Sequence, residues 1–212
     1  MKRLFLSSSI DQTAENIARE IGSSKKLKTA FITTAVEAVH SKDLSWFKND
    51  RQGLIDAGFN LFDYTITDKK PEQIEKDLGD CDVIHVDGGN VFYLLLQAQK
   101  SGFDKFIKKF VENGGIYTGS SAGSIIASPN IDIARKKKHE DFASKLKTFD
   151  GFGLVDFIVF PHWASNNYRE DFFNERLKAS YVVGNKIILL TDSQYVLVKD
   201  SMYKIVDTQD KK

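Results

Sequence analysis

Short apolar runs alternate along this chain with stretches whose apolar residues recur every three or four positions. Arg3 to Ser7, Thr29 to Thr34, Asn60 to Thr65, Asp82 to Val86 and Ile116 to Thr118 are apolar and rich in β-branched or aromatic residues, so each predicts a strand. Between them, Gln12 to Ile21, Leu44 to Ala57, Pro71 to Leu78, Val91 to Gln99 and Phe103 to Asn113 have helical period. Asp11 is a candidate N-cap for the first helix, and Gly22 and Gly58 are stops. Later strands are expected at Phe157 to Phe160, Lys186 to Leu190 and Tyr195 to Val198, with an edge at Tyr203 to Val206. Their close spacing predicts antiparallel pairing near the C-terminus.

Strand-helix alternation with continuous apolar strands predicts an α/β fold, a mostly parallel sheet flanked by helices. No repeat or proline-rich linker divides the chain, so residues 1–212 are expected to form one domain. In such sheets ligands bind at the carboxyl ends of strands. Two glycine-rich segments fall there, Asp87-Gly88-Gly89-Asn90 and Gly119-Ser120-Ser121-Ala122-Gly123.

The second segment has the G-x-S-x-G spacing of a nucleophile elbow. A serine at a sharp strand-to-helix turn occupies a strained backbone position, and residues two places away must be small to avoid collision. Ser121 to Ala127 is read as the start of the following helix. Ser120 and Ser124 are rivals in the same turn, but neither is centred between the glycines, so Ser121 is the candidate nucleophile. A glycine-rich turn without chemistry is the bland alternative.

A serine nucleophile requires a base, usually histidine. Of His40, His85, His139 and His162, only His162 directly follows a strand's carboxyl end; His85 lies inside an apolar strand, where a hydrogen-bonded structural role is expected. His162 is therefore the candidate base, on the rim of Ser121 if their strands are parallel neighbours. Asp192, just beyond the strand ending at Leu190, is the candidate orienting carboxylate. Candidate oxyanion donors are the amides of Ala122 and Gly88. The order Ser121, His162, Asp192 differs from that of α/β-hydrolases, in which the acid precedes the histidine.

Four segments together resemble the dipeptidase E family of serine peptidases: Val86-Asp87-Gly88-Gly89-Asn90-Val91-Phe92, Thr118-Gly119-Ser120-Ser121-Ala122-Gly123-Ser124, Phe160-Pro161-His162-Trp163 and Leu190-Thr191-Asp192-Ser193-Gln194. The resemblance implies a three-layer, flavodoxin-like fold of the class I glutamine amidotransferase type. It also implies a Ser-His-Glu or Ser-His-Asp triad, no cofactor, and cleavage of short peptides, N-terminal-aspartyl dipeptides in the known enzymes. Those enzymes use an acidic residue beyond the elbow to hold the substrate's amino group; Asp132 is the nearby candidate, followed by the basic run Arg135-Lys136-Lys137-Lys138. Gly89, Asn90, Trp163 and Arg169 are further candidate substrate contacts.

Composition narrows the alternatives. The 212 residues are 42% hydrophobic and 28% charged, with a formal net charge of +1, so nucleic acid is not an expected partner. The single cysteine, Cys81, precludes an internal disulfide, and no run reaches the roughly 18 apolar residues of a membrane span. A cytoplasmic protein, monomeric or homodimeric, is expected, with a short peptide or small molecule as substrate. Scattered histidines without metal-ligand spacing give no expectation of a metal site. The competing reading is a non-catalytic binding or regulatory protein on the same fold. A glutamine amidotransferase fits less well, because its elbow carries cysteine.

Overall fold

A computed structural model describes residues 1–22, 27–135, 140–181, 184 and 186–209. Five strands are parallel: β1 (Arg3–Ser7), β2 (Lys28–Ile32), β3 (Asn60–Tyr64), β4 (Val83–Val86) and β5 (Ile116–Ser120). A separate parallel pair, β6 (Ile158–Phe160) and β7 (Ile187–Leu189), lies outside the main sheet. The strands β8 (Gln194–Lys199) and β9 (Met202–Asp207) complete the main sheet in the order β3-β2-β4-β5-β1-β8-β9, with β8 antiparallel to both β1 and β9.

The helices α1 (Ile10–Ile21), α2 (Ser45–Asp56), α3 (Pro71–Leu78), α4 (Val91–Ser101), α5 (Phe103–Glu112) and α6 (Ala122–Ile126) follow their strands. Strand side chains alternate between two layers, as a period of two requires. Leu4, Leu6, Ile32, Ile84 and Val86 share a core with apolar residues of α3 to α6. Phe5, Phe31, Val83 and Tyr195 face the other way, with Ile10, Ala14 and Ile17 of α1 and Leu54 of α2. Helix patterning matches: α5 buries Phe103, Phe106, Ile107, Phe110 and Val111 along one stripe. Gly22 ends α1 in the left-handed conformation (φ 72°), its N–H returning to the Ala18 carbonyl.

Several boundaries differ from the pattern. Ser9, not Asp11, is the N-cap of α1, because the helix already starts at Ile10; Asp11 lies in its first turn and accepts a hydrogen bond from Ser9 Oγ at 2.7 Å. β2 stops at Ile32, and Thr34 belongs to a 3₁₀ turn over Thr34–Ala38. β5 continues past Thr118 to Ser120, since Gly119 and Ser120 still pair with Leu6 and Ser7. The α6 helix begins at Ala122 rather than Ser121. The expected antiparallel pairing holds for β8 and β9, but β6 and β7 are parallel. The basic residues Lys136 to Lys138, and His139, lie outside the described residues. No helix among the described residues is long and apolar enough to cross a membrane.

The strand β1 joins the parallel strands to the antiparallel β8–β9 pair, and Leu6 in it is fully buried. Leu6→Ala should cost about 2–5 kcal/mol of stability, read as a lower urea midpoint with an unchanged denaturant slope.

Candidate active site

Three parallel strands deliver their carboxyl ends to one rim. Ser8 follows β1, the turn Asp87 to Asn90 follows β4, and Ser121 follows β5 between them. The elbow is steric in origin. A Cβ on Gly123 would overlap the Val86 carbonyl of β4, and one on Gly119 would lie 2.6 Å from the Gly123 backbone. With both flanks pressed to backbone contact, Ser121 turns at φ 50°, ψ −107°, outside the helix it precedes. Its N–H is spent on the Ser7 carbonyl at 3.1 Å. The Ala122 N–H opens the first turn of α6, where helix amides lack intrahelical acceptors.

His162 and Asp192 arrive by a different route from the one the sequence suggests. The β6 strand is not a neighbour of β5; it pairs with β7, with Phe160 opposite Leu189. The parallel register places the residues after both strands side by side, and Trp163 N–H donates to the Leu190 carbonyl at 2.8 Å. Asp192 then leads into β8. Because β8 runs antiparallel to β1, with Tyr195 opposite Ser7, its beginning lies at the carboxyl end of β1. The result is a continuous chain: Ser121 Oγ to His162 Nε2 at 2.9 Å, and His162 Nδ1 to Asp192 Oδ1 at 2.7 Å. Burial works to raise the Asp192 carboxyl, but the hydrogen bond and charge of His162 and a hydrogen bond from Ser8 outweigh it and hold the group below its usual range.

Two residues that the sequence reading passed over support this chain. Ser8, which is buried, accepts the His162 backbone N–H at 2.7 Å and donates its hydroxyl to Asp192 Oδ1 at 2.8 Å. It thereby fixes His162, whose backbone is itself at φ 66°. Tyr168 stacks on the His162 ring at 4.4 Å between centroids and 15° between planes. The signal for Ser8 was the serine run at the end of β1; Tyr168 had none.

A cleft of about 650 Å³ opens at this rim, lined among others by Ser121, His162, Asp192, Gly88, Gly89 and Asn90. Gly88 faces Ser121: a Cβ on it would lie 3.5 Å from Ser121 Cβ. Gly89 is held at φ 132° against the Ala35 carbonyl, where a side chain would overlap backbone. Asn90 lines the cleft but has a structural task, its Oδ1 capping α4 through the Phe92 and Tyr93 amides at 3.0 Å each. His40 also lines the cleft. Trp163 and Arg169 line a second pocket of about 260 Å³ with Phe172 and Phe173, and Ser165 lines both this pocket and the main cleft. Asp132 is not brought to the cleft; it is exposed, 3.9 Å from the Arg135 guanidinium, which in turn pairs with Glu140 at 2.7 Å.

Beneath the cleft lies a buried acidic pair, Asp50 and Asp87. Burial raises the Asp50 carboxyl to about 9, aided by the charge and hydrogen bonding of Asp87 and by Asp11. Burial also raises Asp87, against hydrogen bonds from Asp50 and the Gly88 amide. His85 is buried as expected, 2.8 Å from Thr118 Oγ1 and 3.4 Å from Asp87; burial pushes it down to about 4, so it is neutral.

The Asp50 shift has a pH signature. An unfolded aspartate ionises near pH 4, whereas folded Asp50 keeps its proton to about 9. Between these values the folded state binds more protons, so this group makes stability fall as pH rises. Urea midpoints measured from pH 5 to 9 should decline, and Asp50→Asn, which cannot ionise, should flatten that slope. Separately, Gly123→Ala should destabilise by about 3 kcal/mol or more in the same assay, since the Val86 carbonyl cannot yield.

The family model for peptidase family S51 matches residues 4–206. An uncharacterised peptidase of Listeria innocua is 31% identical over 203 residues, 94% of each chain. A peptidase E of Nostoc is 27% identical over 91% of this chain and 77% of its own. A crystal structure of a protein described as a peptidase E from Listeria monocytogenes superposes with a TM-score of 0.85 at 26% identity, covering 99% of this chain and 100% of that one. Agreement of this extent, in sequence and in three-layer architecture alike, establishes that the chain belongs to peptidase family S51 and is a serine-type peptidase.

Proposed function

We propose that residues 1–212 act as one peptidase domain that cleaves short peptides through an acyl-enzyme on Ser121. The observation that carries this reading is the unbroken hydrogen-bond chain from Ser121 through His162 to Asp192, assembled from three separate segments beside an open cleft. His162 Nε2 takes the Ser121 proton as Oγ attacks the scissile carbonyl carbon. Asp192 holds Nδ1–H, selects the tautomer and stabilises the imidazolium. Developing charge on the carbonyl oxygen is met by the amides of Ala122 and of the Gly88-Gly89 turn. His162 then protonates the leaving amine, the C–N bond breaks, and the acyl group remains on Ser121. Water, deprotonated by His162, attacks the ester; the product acid leaves and Ser121 regains its proton.

Gly88 is the less free of the two oxyanion candidates, because its amide also serves the Asp87 carboxyl. The second pocket at Trp163 and Arg169 would receive a neighbouring part of the peptide. N-terminal-aspartyl dipeptides are the first substrates to assay, given the peptidase E names among the relatives.

A serine-directed phosphonate should label Ser121, identified by mass spectrometry of the digested adduct, and Ser121→Ala should abolish both labelling and peptide hydrolysis. Unlabelled Ser121 in folded protein would instead favour a non-catalytic binding protein. Asp192→Asn should lower kcat by about a thousandfold or more, as loss of the orienting carboxylate does in other such triads. Ser8→Ala should lower kcat about tenfold with KM nearly unchanged, the size expected for one lost hydrogen bond to a charged group. An unaltered kcat in Ser8→Ala would remove Ser8 from the positioning role.

A further inference from the structure

One buried cation near His162 takes no part in the triad. Arg176 ends a π-helical turn over Phe172–Arg176, a rare helix type that collects at functional sites. It is 8% exposed, and three rings cage its guanidinium. Cζ lies 5.1 Å from the Phe172 centroid, 5.7 Å from that of Tyr168 and 5.8 Å from that of Phe160. Among the described residues Arg176 forms no ion pair, and its buried Nε meets no acceptor. The charges of Asp171 and Glu175 favour the guanidinium, yet burial outweighs them and pulls it below its usual range.

Packing alone does not call for this residue. Taking an unpaired charge out of water is costly, and an apolar side chain of similar length would fill the space without that cost. The rings return part of it through cation–π attraction. What an apolar side chain could not reproduce are two polar contacts that both lead to His162. Nη1 donates to the carbonyl of Pro161, the residue before His162, at 3.4 Å. The Tyr168 ring beside the guanidinium is also the ring stacked on the imidazole. His162 and Ala164 each sit at φ 66°, which residues with side chains hold only where their surroundings impose it. Ser8 and Asp192 impose it on His162 through direct hydrogen bonds. Arg176 reaches the same residue through its preceding carbonyl and its stacking partner.

We propose that Arg176 is a positioning residue for His162: its caged guanidinium fixes the Pro161 carbonyl and the Tyr168 ring, and through them the direction in which the imidazole presents Nε2 to Ser121. Arg176 does not line the cleft, so its effect falls on the chemical step and not on binding. The inference rests on the reading of Ser121, His162 and Asp192 as a working triad.

The kinetics of labelling by a serine-directed phosphonate test this without a known substrate, because attack by Ser121 on phosphorus also needs the base. Two numbers are read, the maximal labelling rate and the half-saturating phosphonate concentration. Arg176→Met keeps the unbranched stem and loses the cation and the donors. It should lower the maximal rate about tenfold and leave half-saturation within about twofold, the size expected for one hydrogen bond and one cation–π contact. Arg176→Lys keeps a cation and a donor but not the planar fork, and should lose only about threefold. That partial rescue separates positioning from packing, since methionine is the better filler of an apolar space. A maximal rate in Arg176→Met within about twofold of the parent's, a half-saturation that rises as the rate falls, or equal losses in the two variants overturns the proposal. Should Arg176→Met fail to fold, Arg176→Lys decides alone: a parent-like rate overturns the proposal, and a threefold loss at unchanged half-saturation upholds it. The parent keeps the two readings apart. An unlabelled parent defeats the triad and this inference with it, whereas a labelled parent whose Arg176 variants label equally fast defeats this inference alone.

Discussion

Gly123 packs against the Val86 carbonyl with no room for a side chain, and Gly119 is pressed as closely on Gly123. This crowding at the end of β5 sets the rest of the rim. The chain cannot continue as a strand and cannot start a helix until Ala122, so Ser121 takes the strained conformation between them. The hydroxyl then points out of the sheet, and the first amides of α6 follow directly behind it. The neighbouring strand sustains the arrangement, since the carbonyl that excludes a side chain at Gly123 belongs to the strand that leads into Gly88.

The other half of the site depends on two kinds of strand pairing. Parallel pairing of β6 with β7 brings the residues after both strands together, so His162 and Asp192 meet by register. Antiparallel pairing of β8 with β1 then docks that unit on the main sheet, because it starts β8 where β1 ends. Ser8 joins the two with a single hydroxyl, accepting from the His162 backbone and donating to Asp192. The imidazole is thus held by backbone, carboxylate and the stacked Tyr168 ring together, the kind of over-determination a preorganised base requires.

Much of this was legible in the chain. Strand and helix cores followed from periodicity, because burial on one face or two leaves a period of 3.6 or 2 in any sequence. Ser121 was legible because only glycine satisfies the crowding on either side. His162 and Asp192 were legible as polar residues just past apolar strands. What periodicity does not encode is which strands are neighbours: His162 was expected on a strand beside β5, and it belongs to a separate two-stranded sheet. Asp50 and Tyr168 carried no sequence signal, since an aspartate in an amphipathic helix and a tyrosine in a polar loop are ordinary there. Asp132 looked suitable by its distance along the chain, yet the fold turns it to the surface.

By itself, the sequence determined the local elements, the α/β class and the glycine-flanked turn at Ser121, since each depends on contacts within a few residues or on the face a residue buries. Tertiary structure alone decided that Ser8, His162 and Asp192 close one network, and that two aspartates 37 positions apart, Asp50 and Asp87, are buried together under the cleft. Both arise where distant segments are forced together by strand order. There a hydrogen bond of 2.7 Å or a buried charge depends on three-dimensional proximity, which no spacing along the chain specifies.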